Sequence, residues 1–169
     1  MNPLVAYAWP GFAVGVVLGA LVGTFVLRRR LAGARLLPWI AGAAIAATAA
    51  VALWSGPLGG AARYTKAVED YSRLVLIAYE MEAVQARLGR EPLSRKLYLQ
   101  GPGDDWQRNE LALIMGNVPG VSTATWSRDE RATPLLAQAV LIAFAGIALG
   151  WLLAGLLEWH RRYNAQWNW

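Results

Sequence analysis

The chain contains no cysteine, which excludes structural disulfides, thiolate nucleophiles, iron–sulfur ligation and covalent haem attachment. Histidine occurs once, at His160. One imidazole without thiolates cannot build a usual zinc site or a bis-histidine haem, so no metal and no cofactor are expected. His160 reads instead as an interfacial packing residue beside Arg161. The Gly-x-Ser-x-Gly pattern and the glycine loops that cradle phosphates or dinucleotides are also missing. The adjacent carboxylates Asp104 and Asp105 invite an acid–base reading, but negative charge in a first helical turn explains them better. No catalytic residue is assigned, and the chain reads as non-enzymatic unless it shares an active site with a partner subunit. Charge is scarce as well: 16% of the 169 residues are charged against 56% hydrophobic, too few for a soluble protein of this size.

What is present is three long runs without charge: Trp9 to Leu27, Leu36 to Trp54 and Leu135 to Leu157. At about 1.5 Å per residue, some twenty residues cross a hydrocarbon core roughly 30 Å thick. The sequence therefore predicts a mainly α membrane protein with three transmembrane helices and a small α+β extracytoplasmic domain. Its parts are a transmembrane hairpin over 1–55, the external domain over 56–133, and the third helix with a short tail over 134–169. The stretch before Pro10 carries no charged side chain, unlike the positive start of a signal peptide, so the first span is expected to be retained.

The net charge of +5 is unevenly distributed. Arg28, Arg29, Arg30 and Arg35 fill the first loop, the tail holds Arg161 and Arg162 against Glu158, and the ten basic and ten acidic residues between Ser55 and Pro134 cancel. Basic residues flanking spans stay cytoplasmic. This places the loop 28–35 and the carboxyl tail inside, and the amino terminus and the long segment outside, in a bacterial inner membrane. The arginines explain the pI near 10 without any nucleic-acid partner. Trp9, Trp39, Trp54 and Trp159 lie at the ends of the spans, where amphipathic rings prefer the phospholipid headgroup layer.

Gly11, Gly15, Gly19 and Gly23 recur every four residues, leaving one face of the first span without side chains. Lipid tails are as apolar as leucine, so close backbone packing must drive association at such a face. The second span has eight alanines and Gly42, and the third repeats the pattern at Gly146, Gly150 and Ala154. Because the alanine-rich second span has the means to pack on the third, the glycine stripe is expected to receive a helix from another membrane subunit. The alternative is packing within the chain. No ionisable residue lies inside a span, which argues against an ion or proton pathway. Thr24, Thr48 and Gln138 read as backbone-bonded polar residues.

Beyond the breaker Ser55-Gly56-Pro57-Leu58-Gly59-Gly60, read as a hinge, apolar residues return at Tyr64, Val68, Tyr71, Val75, Ala78, Met81 and Leu88. This spacing predicts an amphipathic helix over 61–88, stopped by Gly89 to Pro92. Lys96 to Gln100 reads as a strand. Asp104 with Gln107 forms a capping box, opening a helix to about Asn117 with Trp106, Leu111, Ile114 and Met115 inward. Val121 to Trp126 reads as a second strand. The expected order is helix, strand, helix, strand, with Leu97, Leu99, Leu111, Ile114, Val121 and Trp126 in the core.

The string Leu97-Tyr98-Leu99-Gln100-Gly101-Pro102, the capped helix, and Val118-Pro119-Gly120-Val121 before a strand resemble the second half of a BON domain. The resemblance covers about 30 residues, and Arg90-Glu91-Pro92-Leu93 departs from the strand the family would place there. It implies a small αββαβ envelope module that contacts phospholipids or other envelope components and has no catalytic residues.

Together these features predict a non-catalytic accessory or assembly subunit of a larger membrane complex, whose spans pack on other membrane subunits and whose external domain meets a periplasmic partner. The alternatives are an envelope sensor or a non-catalytic transporter component. The short cytoplasmic side, without room for an output domain, argues against the sensor.

Overall fold

The structure is a computed structural model that describes residues 2–29, 35–127 and 132–165. The element order is α1 (Pro3–Arg29), α2 (Leu37–Ser55), α3 (Gly60–Ala78), β1 (Gln85–Arg90), β2 (Leu93–Gln100), α4 (Asp105–Gly116), β3 (Thr123–Thr125) and α5 (Leu135–Ala165). The chain divides into two compact units: residues 8–54 with 139–169, and residues 1–7 with 55–138.

The first unit holds the bodies of α1, α2 and α5, all long and apolar enough to cross a membrane. Their composition accounts for their form. Side chains without charge leave the backbone to satisfy itself, and in hydrocarbon only a helix does so within one segment. α1 and α5 run parallel, because Gly11, Gly15, Gly19 and Gly23 meet in turn Ala139 and Ala143, then Ala143 and Ile147, then Ile147, and finally Trp151 and Ala154. α2 runs antiparallel to α1, with Val51 beside Gly11 and the Trp39 ring 4.3 Å from that of Phe25. The expectation of a foreign helix on the glycine stripe is thus corrected: α5 of the same chain occupies it. The cause is reciprocal fit, since α5 brings its own side-chain-free positions Gly146 and Gly150 against Phe12, Val16 and Ala20 of α1. α2 buries only the seam Ala43, Ala47 and Val51.

The second unit carries a three-stranded sheet in the order β1-β2-β3, with β1 antiparallel and β3 parallel to β2. Cross-strand partners share a face. The register puts Ala86, Leu88, Leu97, Leu99 and Ala124 on one side and Gln85, Arg87, Lys96, Tyr98, Gln100, Thr123 and Thr125 on the other. Leu88, Leu97 and Leu99 of the first set form the core with Tyr64, Val68 and Leu76 of α3, Leu111 and Met115 of α4, and Val118 and Val121, while Ala86 and Ala124 are half-buried.

Several local expectations change here. α3 stops at Ala78 rather than reaching Leu88, because Glu80 adopts a left-handed φ of 58° and the amides of Glu80 and Met81 turn back to the carbonyls of Ile77 and Leu76 at 3.0 and 2.9 Å. That is a Schellman ending, built on a glutamate where glycine would have announced it. Gln85 to Arg90 form a strand, and Gly89 lies inside it while Glu91-Pro92 makes the hairpin turn. The order is therefore helix, strand, strand, helix, strand. β2 begins earlier, at Leu93, and β3 is only three residues long. The capping box is present, with the Gln107 amide donating to Asp104 at 2.7 Å and the Asp104 amide to Gln107 at 3.1 Å. Trp106, however, is 74% exposed. At about 100° per residue it projects with the exposed Leu113, away from Leu111 and Met115. Ile114 and Trp126 are half-buried, the latter donating its indole N–H to the Arg108 carbonyl at 2.9 Å.

Candidate functional site

Two arrangements stand out, one in each unit. In the helical unit it is the seam between α1 and α5. A Cβ built on Gly15 would overlap the carbonyl oxygen of Ala143, one on Gly19 that of Ile147, and one on Gly150 that of Val16. Each glycine thus turns a Cα hydrogen toward a carbonyl of the facing helix, a contact worth about 0.5–1 kcal/mol. Ala154 is fully buried beside Gly23, at 2.9 Å from where a Cβ would stand. Gly146 presses on the backbone of Phe12 and Val16. Of the seven small residues singled out in the sequence, Gly15 meets Gly146 and Gly23 meets Ala154, while Gly11, Gly19 and Gly150 meet other residues of the neighbouring helices.

The aromatic and arginine positions do not converge on one place. Arg28 and Arg29 end α1, and the Arg29 guanidinium sits 4.5 Å from the centre of the Phe25 ring, which in turn touches Trp39. Arg35 lies just before α2, and Arg30 falls outside the described residues. Trp9 lies in the second turn of α1 and packs on Phe12, with ring centres 5.7 Å apart. Trp159 is inside α5, which continues past His160, Arg161 and Arg162 to Ala165, so the tail is helical where a short extension was expected. Trp54 is half-buried near the end of α2.

In the other unit the sequence gives no hint of the most connected polar cluster. The Tyr64 hydroxyl donates to the Gly120 carbonyl at 2.7 Å, and Arg95 Nε donates to the same oxygen at 2.9 Å. The guanidinium also reaches the Val121 carbonyl at 3.4 Å and Gln138 Oε1 at 3.5 Å. The Tyr7 ring lies 5.6 Å from that of Tyr64, and its hydroxyl shares a 2.6 Å hydrogen bond with Ser55. Residues from the beginning of α1, the end of α2 and the beginning of α5 thereby gather on α3, β2 and the Pro119-Gly120 turn. Burial pushes the Tyr64 phenol above its ordinary value, an effect the Arg95 charge and hydrogen bond oppose and the neighbouring Tyr7 reinforces. Gly120 holds a φ of 99°, and a Cβ there would press on Val68 and Tyr64, so the turn needs glycine both for its backbone and for the approach of the tyrosine. Tyr64 was legible only as an apolar helix position, and Arg95 only as a charge in a strand.

The outer edge of β1 is closed by side chains. Leu88 donates its amide to Glu69 of α3 at 3.2 Å, and Arg90 pairs with the same carboxylate at 3.2 Å. A capped N–H is unavailable to a foreign strand. Among the described residues no three His, Asp or Glu side chains gather as metal ligands would. No known protein family, characterised protein or solved structure matches the chain.

Proposed function

We propose that the chain is a non-catalytic accessory or assembly subunit of a larger bacterial inner-membrane complex, holding its small α+β domain on the periplasmic side. The observation that carries this reading is the unequal packing of the three apolar helices. α1 and α5 lock backbone to backbone, whereas α2 buries one seam and leaves Gly42 with no atom within 4 Å of an added Cβ. Where lipid supplies no hydrophobic drive, small residues on an open helix face serve close approach by another helix. The partner helix assigned by the sequence to the glycine stripe of α1 is therefore assigned to α2.

Arginines at the end of α1 and before α2 support a cytoplasmic loop and carboxyl terminus, with the amino terminus and residues 55–134 in the periplasm. The α-β-β-α-β order of the domain agrees with the order that the BON resemblance implies, which supports an envelope interaction module with phospholipid or a periplasmic protein as partner. Purification in mild detergent, followed by mass spectrometry of what remains bound, tests the reading. It expects a second membrane protein at fixed stoichiometry; a chain that purifies alone, and whose Gly42→Leu variant behaves identically in cells, overturns it.

A specific observation favours a second reading, an envelope sensor. Tyr7, Ser55 and Gln138 stand where three apolar helices begin or end, and all join the cluster around Tyr64 and Arg95. An event at this cluster would reach Gln138 through a hydrogen bond from Arg95, and Tyr7 and Ser55 through the ring contact of Tyr7 with Tyr64.

A further inference from the structure

The polar face of the sheet has no place in the reading above. Its residues, Gln85, Arg87, Lys96, Tyr98, Gln100, Thr123 and Thr125, are all exposed or half-exposed, whereas Leu88, Leu97 and Leu99 on the apolar face are buried in the core. Among these seven residues there is no large aliphatic side chain and no carboxylate. At the β1 edge of this face lies a shallow cleft of about 400 Å³ lined by Arg87, Leu88, Gly89, Arg90, Glu91, Tyr98 and Gln100. The cleft has a structural origin. The register of β1 shifts between Leu88 and Arg90, and Gly89, which lacks a side chain, lets Tyr98 Cε2 come within 2.8 Å of where its Cβ would stand. The half-exposed Tyr98 ring is thereby drawn down to form the floor.

The charges in the cleft are not equivalent. Arg90 is committed to Glu69. Arg87 donates only to the Gln85 amide oxygen, at 3.2 Å, and no carboxylate among the described residues pairs with it. The cleft therefore offers the Arg87 guanidinium for one anionic group, the Tyr98 ring beside it, and amides and hydroxyls spread along the rest of the face, while the one carboxylate in its lining, the exposed Glu91, forms no ion pair with Arg87. A protein partner would find no apolar anchor there, and such anchors carry most protein–protein binding energy. Sugar rings fit this set: their C–H faces lie on aromatic rings, their hydroxyls exchange hydrogen bonds with amides and threonines, and a ring carboxylate matches the guanidinium fork.

We propose that this cleft binds a saccharide that carries carboxylate groups, with Arg87 receiving the carboxylate and Tyr98 supporting the ring. The site belongs to the domain surface alone and does not depend on the accessory-subunit reading, so either can fail without the other.

The test uses the full chain in nanodiscs of zwitterionic lipid, titrated calorimetrically with a tetramer of galacturonic acid, a neutral chitin tetramer, a tetraglutamate peptide and glycerol phosphate. Saturable binding of the uronic-acid tetramer is expected, at least tenfold tighter than that of the other three. Arg87→Gln and Tyr98→Ala should each weaken it at least tenfold, while Tyr98→Phe, which keeps the ring, and Arg63→Gln on α3 should leave it unchanged. Circular dichroism checks that each variant is folded, and if Tyr98→Ala is not, the exposed Arg87→Gln decides. The proposal is overturned if the acidic tetramer does not bind, if tetraglutamate or glycerol phosphate binds as tightly, or if Arg87→Gln has no effect.

Discussion

Tyr64 and Arg95 donate to a single acceptor, the Gly120 carbonyl, at 2.7 and 2.9 Å. One oxygen thus fastens α3 and β2 to the turn that follows α4. The two donors are unequal. A hydrogen bond from a charged group contributes about 1.5–3 kcal/mol and a neutral one about 0.5–1.5 kcal/mol. Arg95→Met should therefore destabilise the domain more than Tyr64→Phe, as read from detergent-phase thermal melting. Equal costs would mean that the guanidinium is no part of the fastening.

The raised phenol of Tyr64 gives a pH dependence of fixed sign. In the unfolded chain the hydroxyl ionises near its ordinary value of about 10, whereas in the folded chain it holds its proton longer. Above that pH the folded state binds more protons than the unfolded one, so stability falls as pH rises. Its contribution is intact below about pH 10 and is lost as pH climbs through the folded value. Melting curves collected at rising alkaline pH should show a decline that is shallower in Tyr64→Phe; identical slopes would remove Tyr64 as the cause.

Gly15→Leu and Gly42→Leu add the same side chain to two long apolar helices with opposite expectations. At Gly15 even a Cβ would collide with the Ala143 backbone, so the variant should separate α1 from α5 and be degraded. At Gly42 nothing lies within 4 Å, so the isolated chain should insert and melt as the wild type does. Comparable steady-state levels of the two variants in membranes would contradict the observed seam.

Leu111 is buried and Leu113, one half-turn away, is 67% exposed. Truncation of Leu111 to Ala should cost about 2–5 kcal/mol, whereas Leu113→Ala should stay within about 0.5 kcal/mol. Chemical denaturation of the two variants distinguishes them, and a reversed order would shift the phase of α4 by half a turn.

The sequence was most readable where a single residue type settles the matter locally. Asp104 with Gln107 marks the start of α4, and the absence of charge over about twenty residues marks each apolar helix. It misled where two periodicities coincide: Leu88 falls seven residues after Met81, a spacing that suits a helix as well as any accidental pair. Gln85 to Arg90 hide as a strand because arginines occupy the open face and a glycine interrupts the pattern. The cluster around Gly120 was unreadable for another reason. Tyr64 and Gly120 are 56 positions apart, and only the completed sheet brings them together.

The pairing of α1 with α5 also orders events during synthesis. The stripe from Gly11 to Gly23 meets residues beyond Ala139, which a ribosome adding about 5–20 residues per second delivers many seconds later. Throughout that interval α1 stands without the helix that covers it, its backbone bared along about three and a half turns. Whatever covers those glycines in the meantime has to be given up when α5 arrives. Arrival of α5 is therefore the step that closes the α1 seam, and a chain truncated after residue 134 would leave that seam open.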